Sequence, residues 1–281
     1  MSFPIALITG TGMDELFSPK TEEKTGLPVF KTELKHVART THGGPVRAQI
    51  VRGDGLEFLW LDRHNSSKRY CCPHEINSAA YMKMLYDNGV QFIFATSAVG
   101  GINRAGFDRL EVGSLVIPED FIDLTKGSYT FNNPAHTHPL AFYRPPAGLF
   151  CPEMAKLFPE ADIQKGGIYT SVPGPRYETR AEIAMIKNFH PEARLLGMTI
   201  PPEASLAREI AVHYCPICIV ADLPLEEGSV NGSSVEDVVR QAKKAVLTAI
   251  LSVMHKVPEV SAGWQCDCGK MDPVFKILQS A

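Results

Sequence analysis

Short apolar runs rich in Ile, Val and Phe alternate along the chain with segments whose apolar positions recur at helical spacing. That alternation predicts an α/β fold in which a largely parallel sheet is flanked by helices. The runs read as strands at Pro4–Thr9, Arg47–Arg52, Glu57–Leu61, Gln91–Thr96, Ser114–Pro118, Gly167–Val172, Leu195–Met198 and Cys215–Ala221, each ending in small or polar residues. Ligands of such sheets sit at strand ends, so a site is expected there. Helices read at His74–Asn88, Thr179–Phe189, Glu203–Ala211 and Ser234–His255, the first closed by Gly89 and the last opened by a Ser233-x-x-Glu236 capping box. In the last, Val235, Val238, Val239, Ala242, Val246, Ala249, Ile250 and Val253 form one stripe, which reads as core.

No repeat or linker divides the chain, so one domain spanning 1–281 is expected, with 257–281 a candidate for a peripheral position. Pro134–Pro152 is a Pro-, His- and aromatic-rich excursion, a candidate cover for a site. Over 281 residues, 44% hydrophobic and 21% charged content with a net charge of −3 argue against disorder and against a polyanion-binding surface, so no nucleic acid partner is expected. The apolar run Phe3–Thr9 is too short for a bilayer span and lacks a preceding basic region, so the expectation is a cytoplasmic protein without membrane association.

Seven scattered cysteines point to reduced thiols rather than a disulfide framework. Cys215 and Cys218 fall in a strand whose alternation turns them to opposite faces, as buried core thiols. Cys266 and Cys268 flank Asp267 near the end of the chain and are candidates for a local disulfide or redox clip. His136 and His138 lack a second pair at ligand spacing and read as a polar loop, so no metal is expected.

Candidate chemistry gathers at the strand ends. Gly10-Thr11-Gly12 can bring backbone N–H groups and the Thr11 hydroxyl to an anion, although alone it is as readily a simple turn. It is neither a dinucleotide fingerprint nor an NTP loop. Arg63 can clamp an oxyanion by two hydrogen bonds and His64 can add a third; a surface Arg and a satisfied core His are the plain alternatives. Thr96-Ser97-Ala98-Val99-Gly100-Gly101 reads as a further anion-binding turn, and Gly197-Met198-Thr199 ends another strand with a hydroxyl. Together these suggest bound phosphate. Tyr177 and Glu178 set a ring beside a carboxylate, fit to stack on a flat base and accept its N–H, or merely to begin a helix. Asp222, at the mouth of an apolar strand, is the best candidate for a general acid or base, with a turn-forming Asp as the alternative.

The stretches Gly10–Asp14, Arg63–Asn77, Thr96–Gly101, Pro118–Thr125, Gly174–Glu182 and Gly197–Glu209, in that order, resemble the trimeric purine nucleoside phosphorylases, and within them the methylthioadenosine phosphorylase branch. The resemblance implies a single-domain phosphorylase fold, a homotrimer, and a reaction with no cofactor beyond inorganic phosphate as substrate. It implies that Thr11, Arg63, His64, Ser97, Ala98 and Thr199 hold phosphate, that Met198 lies under the ribose, and that Tyr177, Glu178 and Asp222 face the purine. Val235 would line the pocket for the 5′ substituent. Adenine-handling members usually carry Asp-x-Asp where this chain reads Asp222-Leu223-Pro224, whereas members preferring 6-oxopurines pair a Glu at the position of Glu178 with Asn at that of Asp222. This chain mixes the two. Val235, where a His for a 5′ hydroxyl is common, favours an apolar methylthio group. Methylthioadenosine is therefore the expected nucleoside, with a 6-oxopurine nucleoside or methylthioinosine as the alternative. A nucleoside hydrolase, which would call for an aspartate cluster around calcium, and a non-catalytic nucleotide-binding module are the rival classes.

Overall fold

The computed structural model describes residues 3–13, 16–17, 28–37, 40, 42–65, 69–127, 129–131, 148–224 and 235–270. The strands are β1 (Ile5–Thr9), β2 (Lys31–Val37), β3 (Val46–Gly53), β4 (Leu56–Asp62), β5 (Phe92–Gly101), β6 (Leu115–Ile117), β7 (Asp120–Asp123), β8 (Gln164–Lys165), β9 (Ile168–Ser171), β10 (Ala193–Gly197) and β11 (His213–Asp222). The helices are α1 (Ser78–Asp87), α2 (Pro152–Lys156), α3 (Arg180–Phe189), α4 (Ile200–Glu209), α5 (Val235–Met254) and α6 (Val257–Val260). The result is the expected α/β architecture, a mixed central sheet of 11 strands flanked by helices.

The sheet forks at β5. The first half of β5 lies between β1 and β11, parallel to both, while its end pairs antiparallel with β10 through Gly100 and Gly101 and still runs beside β11. From β1 the order continues outward through β4, β3 and β2, and from β10 through β9 to β7. Alternation sorts the core. Ala6, Ile8, Ile93, Ala95 and Cys218 face α1 and α4, whereas Ile5, Leu7, Phe92, Phe94, Cys215 and Ile217 face α2, α5 and α6. Cys215 and Cys218 are thus buried on opposite faces, as the alternation requires.

Where boundaries differ from the sequence reading, local chemistry explains the change. Thr96–Gly101 is not a turn but the continuation of β5, and its glycines serve packing. A Cβ on Gly101 would come within 2.8 Å of Leu223 and 2.9 Å of Val220. The helix expected at 74–88 breaks because Asn77 caps α1, accepting from the Ala80 N–H at 3.0 Å, which leaves Pro73–Glu75 as a 3-10 turn. Helix α4 starts earlier than Glu203 because Pro201 and Pro202 occupy a first turn, where a missing N–H costs no helical bond. It ends before Ala211, whose φ of 56° is left-handed. The edge strand β2 escaped notice because Lys31, Glu33 and Lys35 break any apolar run. His136, His138, Ser233 and the segment 134–147 lie outside the described residues.

Candidate active site

The C-terminal ends of β1, β4, β5, β10 and β11 open on one cavity of about 430 Å³. Its lining includes every residue to which the resemblance assigns a role: Thr11, Arg63, His64, Ser97, Ala98, Tyr177, Glu178, Met198, Thr199, Asp222 and Val235. Tyr70, Cys72, Pro224 and Glu236 join them.

At one end Gly10 follows β1, and its lack of a side chain lets Arg63 approach, since a Cβ there would sit 2.9 Å from a terminal guanidinium nitrogen. The Gly10 N–H is not free for an anion, because it donates to the Thr96 hydroxyl at 3.3 Å. Gly12 has a φ of 77°, and a Cβ there would meet Val239 of α5 at 2.9 Å. The loop therefore rests directly on that helix. Thr11 shares a 3.1 Å hydrogen bond with the Tyr70 hydroxyl.

Arg63 is buried, and its two-pronged contact is with Glu203 rather than open to a ligand: Nε donates at 2.7 Å and a terminal nitrogen at 3.0 Å. The other terminal nitrogen donates to the Thr96 carbonyl at 2.5 Å. These contacts use three of the five guanidinium N–H donors. Burial alone would lower the Arg63 pKa, but the Glu203 carboxylate together with the Tyr214 and Tyr81 hydroxyls more than offsets it and holds the group charged. Glu203 lies in α4 and also accepts from the hydroxyls of Tyr81 and Tyr214, each at 2.5 Å. A carboxylate with this many donors is a rigid brace for the guanidinium. The sequence reading missed Glu203 because its partner is 140 positions away and nothing local marks the pairing. The one signal was its burial: a Glu on the inner face of an apolar helix needs a cation.

His64 Nδ1 lies 2.8 Å from the Cys71 carbonyl, which can only accept, so Nδ1 carries the proton and Nε2 is the ring's open atom. Burial lowers its pKa, with the neighbouring Arg63 charge adding to the effect, so the ring is neutral near pH 7. Tyr70 stacks on it at 4.6 Å with an interplanar angle of 6°. Ser97 and Thr199 place their hydroxyls 3.4 Å apart, and the Thr199 hydroxyl is not used to cap α4 although Thr199 is its N-cap. The Ser97 and Thr199 hydroxyls, the Arg63 guanidinium and the His64 ring thus line one cavity, a set fit for a tetrahedral oxyanion carrying a proton.

At the other end, the register of β11 against β5 shifts between Val220 and Asp222, a bulge that sets Asp222 opposite Gly100. A Cβ on Gly100 would stand 3.3 Å from Asp222 Oδ1, so the glycine makes the room the carboxyl occupies. Burial, reinforced by the Glu178 charge, raises Asp222 from 3.8 to about 6. Burial also raises Glu178. The stretch before α3 resolves a choice left open by the sequence. Thr179 and Glu182 form the capping box, and Arg176 pairs with Glu182 at 2.7 Å, so capping does not occupy Glu178. Tyr177 stands at the rim, 69% exposed. Met198 packs against the small core beneath α3, with its sulfur 2.9 Å from where a Cβ of Gly174 would be. Val235 opens α5 beside Glu236. The Arg63 contact at Thr96 and Asp222 at Gly100 are four residue steps apart along β5, roughly 13 Å, which leaves space for a flat, sugar-sized ligand.

Comparison with known proteins identifies the family. The sequence profile of the phosphorylase superfamily matches residues 4–254. A protein of Pyrococcus abyssi named S-methyl-5'-thioadenosine phosphorylase is 31% identical over 272 residues, covering 94% of this chain and 95% of its own. A protein of Thermodesulfovibrio yellowstonii named probable S-methyl-5'-thioinosine phosphorylase is 31% identical over 267 residues, covering 91% of each chain. In three dimensions, a double mutant of the adenosine/methylthioadenosine phosphorylase of Schistosoma mansoni, solved with adenine, superposes with a TM-score of 0.75 at 22% identity, over 99% of this chain and 97% of that one.

Proposed function

The chain belongs to the phosphorylase superfamily, and from that premise we propose that it cleaves 5′-methylthioadenosine with inorganic phosphate, yielding adenine and the pentose 1-phosphate. The observation that carries this reading is the single cavity with an anion-binding set at one end and a carboxyl titrating near neutrality at the other. Phosphate is held by Thr11, Arg63, His64, Ser97, Thr199 and the backbone at Ala98, and Met198 underlies the ribose. An oxygen of phosphate attacks the anomeric carbon as the glycosidic bond breaks, and the bonding electrons pass into the purine. Asp222 hydrogen-bonds or protonates N7 and so improves the leaving group, while Tyr177 and Glu178 hold the base. Val235 gives the 5′ end an apolar wall that suits a methylthio group. No cofactor is needed, and the enzyme works as a cytoplasmic homotrimer.

A second reading, a 6-oxopurine substrate such as methylthioinosine, is favoured by Glu178 when ionised, because a carboxylate accepts the N1–H of an oxopurine. The raised pKa of Glu178 supports the adenine reading, since its protonated form donates to adenine N1. Phosphate-dependent turnover of methylthioadenosine, methylthioinosine, adenosine and inosine, measured across pH, tests both. The expected result is fastest turnover with methylthioadenosine, no base release without phosphate, and a methylthioadenosine-to-methylthioinosine ratio that falls as pH rises. A marked preference for inosine would overturn the ranking, and base release without phosphate would overturn phosphorolysis itself.

A further inference from the structure

At the opposite end of β11 from Asp222, four ligand atoms converge. The sulfurs of Cys151, Cys266 and Cys268 and a ring nitrogen of His213 all lie within 4.8 Å of one another. Cys151 Sγ is 3.3 Å from His213 Nδ1, Cys266 Sγ is 3.5 Å from the same nitrogen, and the two sulfurs are 3.8 Å apart. A tetrahedron with metal–sulfur bonds of about 2.3 Å and a metal–nitrogen bond of about 2.0 Å has S···S edges of about 3.8 Å and S···N edges of about 3.5 Å. The three spacings among Cys151, Cys266 and His213 match those edges, and Cys268 Sγ lies within 4.8 Å of each of these atoms. They are not a disulfide, which needs about 2.05 Å, and all seven cysteines are free thiols. The local Cys266–Cys268 clip expected from the sequence is therefore replaced by a cluster that draws on three separate parts of the chain.

The surroundings are built for that cluster. From Trp264 onward, burial alternates, with Trp264, Cys266 and Cys268 turned inward and Gln265, Asp267 and Gly269 exposed, so both sulfurs share one face despite the short spacing. Arg208, at the end of α4, fixes the turn by donating to the carbonyls of Asp267 and Lys270, each at 2.9 Å. The imidazole of His213 is held between Phe92, stacked at 5.1 Å, and the edge of Trp264 at 5.0 Å. Cys151 caps α2, and its N–H donates to the Tyr214 carbonyl at 2.8 Å. Gly269 keeps the far side of the ring open, since a Cβ there would approach Nε2 to 3.0 Å.

We propose that Cys151, His213, Cys266 and Cys268 form a closed, four-coordinate zinc site that fastens the C-terminal segment to the start of β11. Three thiols and one imidazole are a donor set that structural Zn2+ takes, whereas Mg2+ and Ca2+ take oxygen. On binding, the three thiols release their protons to solvent as three Zn–S bonds form, Nδ1 gives its lone pair, Nε2 keeps the proton, and no redox change occurs. With all four positions filled by protein, and His213 and Asp222 at opposite ends of the ten-residue strand β11, roughly 30 Å apart, the ion takes no part in the reaction at the cavity. The metal runs against the sequence reading, which expected none, because its ligands are scattered over positions 151 to 268 and only one pair is close in sequence.

The test is metal analysis of full-length protein produced in zinc-supplemented medium, with cobalt(II) substitution as a second measurement. The expected result is about one zinc per chain, falling at least tenfold in the Cys266→Ser/Cys268→Ser double variant but not in Cys71→Ser, and a lower melting temperature after chelation that added zinc restores. Cobalt(II) should give thiolate-to-metal charge transfer and the visible bands of tetrahedral coordination, a readout of the wild-type chain that stands even if the double variant fails to fold. Wild-type protein with less than about a tenth of an equivalent of metal and no cobalt spectrum would overturn the site. So would a Cys151–Cys266 disulfide found by non-reducing mass spectrometry.

Discussion

Asp222 is held where burial and the neighbouring Glu178 charge both oppose its ionised form, and the fold tolerates that cost at the cavity mouth. The native carboxyl titrates near 6 against an ordinary 3.8, so between those values the folded state holds a proton that the unfolded state has lost. Stability should therefore fall as pH rises through that window, with the whole penalty present above it. Asp222→Asn, which removes the charge but keeps the shape, should melt higher than wild type at pH 8 and match it at pH 3.5. The same change should lower methylthioadenosine turnover about 100-fold or more, the scale of a lost general acid. Equal melting at pH 8 with unchanged turnover would show that the carboxyl is neither destabilised nor used. At this scale the sequence was a good guide to groups at strand ends, because an Arg or Asp following an apolar run announces itself. It was blind to Glu203 and Tyr70, whose importance arises from partners that only folding brings close.

Helix α4 carries three tasks along its length. Thr199 at its start faces the anion end, Glu203 one turn later braces Arg63, and Arg208 at its end fixes the turn that holds Cys266 and Cys268. Glu203→Gln replaces one carboxylate oxygen of a fully buried pair by an N–H donor aimed at donors, and losing such a partner costs about 3–5 kcal/mol. Glu203 is a positioning residue, so its loss should raise the KM for phosphate more than that for the nucleoside, beyond any fall in melting temperature. Equal changes in both KM values would reduce Glu203 to a stability role. The helix was recognised in the sequence but begun too late, since paired prolines look like a break unless they sit in a first turn. The fork at β5 was hidden for a similar reason: Gly100 and Gly101 suggest a turn, yet their missing side chains are what allow β10, β11 and Asp222 to crowd against one strand.

For the whole molecule, Met185 and Phe189, four residues apart on one face of α3, are 56% and 81% exposed, and Tyr177 at the cavity rim is 69% exposed. The homotrimer proposed for this chain would cover such a face. Sedimentation should give a mass three times that of the chain, and Met185→Glu/Phe189→Glu should shift it toward the monomer. A wild-type monomer would remove the assembly from the proposal. The alternation of strands and helices was enough to read the α/β class, because it needs only local period. Assembly and the metal cluster depend on surfaces and on distant pairs, which no local period encodes.

The contact of Gly12 with Val239 joins two regions that the chemistry treats separately. The loop that carries Thr11 and the helix that opens with Val235 pack against each other there, so on the roles proposed for these two residues a ligand that displaces one presses on the other. Whatever a 5′ group does to phosphate affinity through this contact, phosphate must do in equal measure to the affinity for that group. In the proposed reaction, recognition of the sugar's far end would in this sense be part of how the nucleophile is held.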